Sequence, residues 1–124
     1  MPECRQFLWL AFGATISWRQ VATWHDSVTV FQQAIAVTPE NALAHHDLAV
    51  ALEARGERDA ALAHYAEAVR IEPNYFIAQY NYGSALLVRG ERAEAAVHFR
   101  EALRYRPDYE DARRKLSLIS GSGL

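Results

Sequence analysis

A single cysteine, Cys4, is all the sulfur chemistry this 124-residue chain offers, so no internal disulfide can form and cysteine usage says nothing of a redox compartment. Lysine is nearly as scarce: of 13 basic residues only Lys115 is one. That arginine bias, with the high alanine content, is read as base composition and not as recognition chemistry. No charge of one sign dominates either, since 15 acidic residues against 13 basic ones leave a net charge of -2. A nucleic-acid partner would need a basic stripe, and none is present. Long apolar runs are also missing. The uncharged stretch from Gln6 to Trp18 ends before Arg19, Gln20, His25 and Asp26, short of the ~20 apolar residues a membrane helix needs. No convincing small-residue cleavage site follows it, so the chain reads as soluble. What is abundant is core-forming material: 51% hydrophobic residues in 14.0 kDa, enough for one domain that buries well over half of its unfolded surface.

Internal repetition settles the architecture. Pro39, Pro73 and Pro107 stand 34 residues apart, and the same spacing relates Ala34, Ala68 and Ala102, the aromatics Phe31, Tyr65 and Phe99, the pair Gly56 and Gly90, and the pair Ala61 and Ala95. Five registers with one period do not arise by chance. The stretches Ala42 to Tyr75 and Phe76 to Tyr109 are two copies of one unit, down to a shared RGER turn.

Each recurrent residue type has a physical reason. Leu48 and Leu52, then Leu62, Tyr65, Ala68 and Val69, recur at helical spacing, so each unit is two amphipathic helices. Gly56 and Gly90 fall between them, where a helix ends most readily on a residue that adopts positive φ without steric cost. Small residues at Ala49 or Gly83, and at Ala61 and Ala68 or Ala95 and Ala102, let the two axes approach, and Tyr65 or Phe99 fills the remaining space. Pro73 and Pro107 lack the N–H a continued helix would donate, so each stops its helix.

The 34-residue period and these positions resemble the tetratricopeptide repeat (TPR) family. The resemblance implies an all-α, right-handed solenoid of about seven antiparallel helices. Residues 42–75 and 76–109 would be complete repeats within a single domain over 1–124. Residues 8–41 would be a divergent repeat, with Ala14 and Thr15 where the family prefers Leu and Gly, and with a matching second helix from His25 to Val37. Residues 110–120 would form the capping helix, with Arg113, Arg114 and Lys115 on its polar side, before a frayed tail from Gly121 to Leu124. A weaker resemblance, carried by Thr23 to Ala49, is to the start of the TPR region in multi-spanning membrane proteins related to O-mannosyltransferases. It implies that the apolar run is membrane-proximal and that the module is an accessory domain of a glycosyltransferase-like parent.

No constellation for catalysis emerges, and the chain is expected not to be an enzyme and to need no cofactor or metal. His45 and His46 are neighbours, so on a helix they point ~100° apart, and neither has a ligand partner four residues away. His64 and His98 share one repeat position and are expected on a solvated edge. Cys4 has no base nearby in sequence, and Ser27 stands where a small alanine is expected at a packing position, so neither reads as a nucleophile. Without strands there is no phosphate-binding loop.

Binding is the better expectation. The TPR resemblance places the first helix of each repeat on a concave face, with Leu43, His46, Asp47, Val50, Glu53 and Ala54 of one repeat and Ile77, Tyr80, Asn81, Ser84, Leu87 and Val88 of the next looking into a groove for a protein or peptide partner. Leu43, Val50, Ile77, Tyr80, Leu87 and Val88 are costly surface residues for a module with no partner. The family's clamp for C-terminal carboxylates fits poorly, because its five positions fall on His46, Val50, Asn81, Asp111 and Lys115, and Asp111 repels a carboxylate. The Asn ladder that some members use is incomplete as well, with Asp47 before Asn81. In the N-terminal segment, Trp9, Phe12 and Ile16 fall within ~60° of one another on a helical wheel. Phe7, Leu10, Ala14, Trp18 and Val21 already supply an inward face, so those three predict self-association, as a homo-oligomer, or membrane proximity in a longer parent.

Overall fold

The computed structural model describes residues 27–121. Among these residues there are six helices and no strand: α1 over 27–37, α2 (Ala42–Ala54), α3 (Arg58–Ile71), α4 (Phe76–Arg89), α5 (Arg92–Tyr105) and α6 (Glu110–Gly121). Cys4, the expected first helix with Trp9, Phe12 and Ile16, and the last three residues of the tail lie outside the described residues.

The turns follow from a few residues. Asn41 caps α2, its side-chain oxygen accepting from the Ala44 N–H at 3.0 Å, which satisfies one of the donors a helix start leaves orphaned. Gly56 and Gly90 both have positive φ, 82° and 93°. At the first, the Gly56 N–H reaches the Glu53 carbonyl (3.0 Å) and the Glu57 N–H reaches that of Leu52 (2.9 Å). One repeat later Gly90 and Glu91 bond Leu87 and Leu86 in the same pattern, at 3.0 Å each. These paired bonds close a helix end on a left-handed residue and reverse the chain into the next helix.

The turns at the prolines are closed differently. Six residues after each proline, a side chain donates to the proline carbonyl: His45 Nε2 to Pro39 at 2.9 Å, Gln79 Nε2 to Pro73 at 3.0 Å, and Arg113 Nη2 to Pro107 at 2.8 Å. Three unlike residues thus do one job at one register.

α2 packs most extensively on α3, and α4 on α5, with thinner contacts from α3 to α4 and from α5 to α6. The result is a linear stack of hairpins in which each helix meets chiefly its neighbours. The core is segmented to match. One cluster gathers Val28, Leu48, Leu52 and Ala61 around Tyr65, and the other gathers Leu62, Leu86, Ala96 and Ile119 around Phe99, with Tyr82 and Ala85 packed against both. Close approach depends on small residues, and Gly83 shows how closely. A Cβ added there would lie 3.0 Å from Phe99 Cε1 and 3.2 Å from the Ala95 carbonyl oxygen.

Candidate binding surface

α2 is linked to α4 by a polar cluster around His46. The Asn81 Nδ2 amide can only donate, so at 2.8 Å it requires His46 Nε2 to accept. The neutral His46 therefore carries its proton on Nδ1, facing Asp47 Oδ1 at 3.1 Å and the Tyr75 hydroxyl at 3.3 Å. His46 itself is only 7% exposed. Its expected role as a groove contact gives way to that of a buried strut, because Asn81 and Tyr75 stand over it. Tyr75 was not legible as part of this cluster.

Around the cluster the surface is apolar. Leu43, Val50, Ile77 and Val88 expose between 39% and 63% of their surface, so they are not core residues placed at the edge. Glu53 and Ala54 are exposed, while Asp47, Tyr80, Asn81, Ser84 and Leu87 are half-buried. The Tyr80 ring packs on Phe99 (centroids 5.7 Å apart) and on Tyr109 (5.1 Å), and Ser84 Oγ is buried without a hydrogen-bond partner in the described residues. Glu53 accepts from the buried Tyr65 hydroxyl at 2.8 Å, and burial followed by that bond holds the phenol well above its ordinary pKa. The sequence reading missed Leu118. It is 62% exposed, stands at the register of Val50 two repeats on and of Ser84 one repeat on, and lines a shallow depression with Leu87.

His64 and His98 are not on a solvated edge as expected. Both are half-buried against the preceding first helix. His45 Nε2 is committed to the Pro39 carbonyl, so its Nδ1 accepts from His64 Nδ1 at 3.1 Å. His98 Nδ1 donates to Gln79 Oε1 at 2.8 Å, with the Tyr82 ring 4.3 Å away. The contact arises because both histidines flank the core aromatics Tyr65 and Phe99, which draw them inward.

Burial is the main cause that lowers both pKa values. Proximity to His45 adds to it for His64, while Glu67 opposes it there and Glu101 opposes it at His98. A depressed folded-state pKa means that the unfolded chain binds the extra proton first. The associated stability is therefore present above the ordinary imidazole value of 6.5 and is lost as pH falls below it. Thermal melts between pH 7.5 and 5 should show a falling midpoint, and a flatter slope in the His64→Gln, His98→Gln double variant. An unchanged slope would exclude these rings as the cause.

Among the described residues no three metal-capable side chains converge, and no helix is long and apolar enough to cross a membrane. A family model for the tetratricopeptide repeat matches residues 23–76 and again 46–110, well over half of the chain. The chain belongs to the tetratricopeptide repeat family. Among solved structures, this TPR chain is similar to MamA, with a TM-score of 0.77 and 20% identity over 86% of this chain and 63% of that one. It therefore spans somewhat less than two thirds of MamA. It is similar also to the first TPR of Spaghetti (RPAP3), solved bound to the HSP90 peptide SRMEEVD, at 0.76 and 18% over 86% of this chain and 84% of that one. The Yersinia enterocolitica type III secretion chaperone SycD, solved with a peptide of the translocator YopD, gives 0.74 and 18% over 93% of each chain. No curated protein matches the chain in sequence.

Proposed function

We propose that this TPR module is a protein-interaction scaffold that holds a peptide segment of a partner on the face of α2, α4 and α6. The observation that carries the reading is the row of exposed aliphatic side chains, Leu43, Val50, Ile77 and Val88, flanking the Asn81–His46–Asp47 cluster. Apolar contacts supply affinity there, and the half-buried amide of Asn81 gives an extended backbone a polar anchor. Spaghetti and SycD, similar in fold, were both solved with peptides, which supports the same use here.

The test needs residues that do not also hold the fold. Tyr80 is unsuitable, because its ring packs on Phe99 and Tyr109. Val50→Glu with Ile77→Glu is cleaner, since both are exposed. Against a peptide selected from a random phage-displayed library on the wild-type chain, this pair should weaken binding by about 2 kcal/mol or more, roughly 30-fold. Val97→Glu is the matched control, an exposed valine on α5, and should leave binding intact. Fluorescence anisotropy reads both. Equal losses from the two changes would refute the assignment of this face.

A further inference from the structure

Beside this face, where the α2–α3 turn meets the end of α4, a cavity of about 180 Å³ opens. Ala61, Leu62 and Ala85 form its apolar floor, and Val88, 63% exposed, stands at its mouth. At that size it is well below the ~300 Å³ of a small-molecule site, so what fits is one large aliphatic or aromatic side chain. Four charged residues surround it: Glu53, Arg58, Asp59 and Arg89. Three of them are engaged. Arg89 Nη1 donates to Asp59 Oδ1 at 3.2 Å across the repeat boundary, and Glu53 accepts from Tyr65. Arg58 alone has no partner among the described residues, and a positive charge there awaits a carboxylate.

The feature recurs. One repeat on, a second depression of about 190 Å³ is lined by Leu87, Arg92, Leu118 and Ile119. Leu87, Arg92 and Ile119 are the register equivalents of Glu53, Arg58 and Ala85, so each hollow has an arginine in the same place.

We infer that the hollow at Leu62 and Ala85 is an anchor pocket for an apolar side chain of a partner peptide that carries an Asp or Glu next to it, recognised by Arg58. The inference rests on the peptide-binding reading above and names the class of peptide. A large side chain in the hollow rests on Leu62 and removes Val88 from water, and the adjacent carboxylate pairs with the guanidinium without displacing the Asp59–Arg89 bridge. The second hollow is a place for another apolar side chain of the same peptide.

Peptides selected on the wild-type chain from a random phage-displayed library serve as the probe. Enrichment of an aliphatic or aromatic residue next to Asp or Glu is expected. Ala85→Leu fills the pocket and should reduce binding at least 10-fold while the melting temperature stays at or above that of the wild type. Arg58→Glu, at the first turn of α3 where a carboxylate suits the helix, should weaken binding about 10-fold, and exchanging the peptide's acid for lysine should restore it. Should Ala85→Leu fold poorly, the methyl resonances of Leu62 and Val88 in the wild-type chain give a second readout, since both should shift on adding the selected peptide. Peptides that lose binding with Val50→Glu and Ile77→Glu yet ignore Ala85→Leu and Arg58→Glu, and leave those methyls unmoved, would overturn the pocket while the groove reading stood. Failure to enrich any peptide would overturn both.

Discussion

Phe99→Ala is expected to remove about 3–5 kcal/mol of stability, the usual range for deleting a buried phenylalanine. Its ring is 0% exposed at the centre of the second cluster. Its closest backbone neighbours offer little to refill the vacancy: Gly83 faces the ring without a side chain, and Ala95 and Ala102 are already fully buried alanines. The site combines lost transfer energy with a cavity that persists. Against a typical total of 5–15 kcal/mol, the loss is large. Thermal unfolding followed by circular dichroism should show the midpoint falling by roughly 10 °C or more. A loss below ~1 kcal/mol would mean that Phe99 does not organise the C-terminal hairpin.

Ala68→Leu and Ala102→Leu test the opposite error, too much volume. Both alanines are 0% exposed at equivalent positions of α3 and α5. An isobutyl group at either must push two helices apart or force a neighbour off its rotamer, at a cost of about 1–3 kcal/mol. They belong to successive hairpins and to different repeat junctions, so the double variant should lose close to the sum of the two. Denaturant titration of the singles and the double decides the matter. Wild-type midpoints for both singles would refute the proposed register.

What could be read from sequence was whatever depends on backbone or on the absence of volume. Gly56 and Gly90 were legible because a helix reversal through positive φ selects glycine, and Ala68 and Ala102 because close axes exclude anything larger. The hydrogen-bonding device at the proline turns was hidden. His45, Gln79 and Arg113 share a donor at one register, but what recurs is a capacity to donate and not a residue type. Burial of His64 and His98 was hidden for a related reason, since their partners sit 19 residues away on another helix. Leu118 was missed although 50, 84 and 118 differ by one period, because the final helix had been read only for its charged side. The hollow at Ala85 depends on how side chains from three helices end, which no spacing rule encodes.

Segmentation of the core has a consequence for how the protein opens. Contacts within α2–α3 and within α4–α5 are denser than those across the α3–α4 seam, where Tyr82 and Ala85 link the two clusters. Separation along that seam exposes less surface than breaking either hairpin, so an opening that keeps both hairpins intact lies below global unfolding in free energy. Amide exchange should then fall into tiers, with α6 released first as the outermost layer, and with Leu52 and Ala68 protected about as long as their own hairpin survives. A ligand seated across α2 and α4 would bridge the seam between the two hairpins, and the slowing of exchange it causes would be felt on both sides at once.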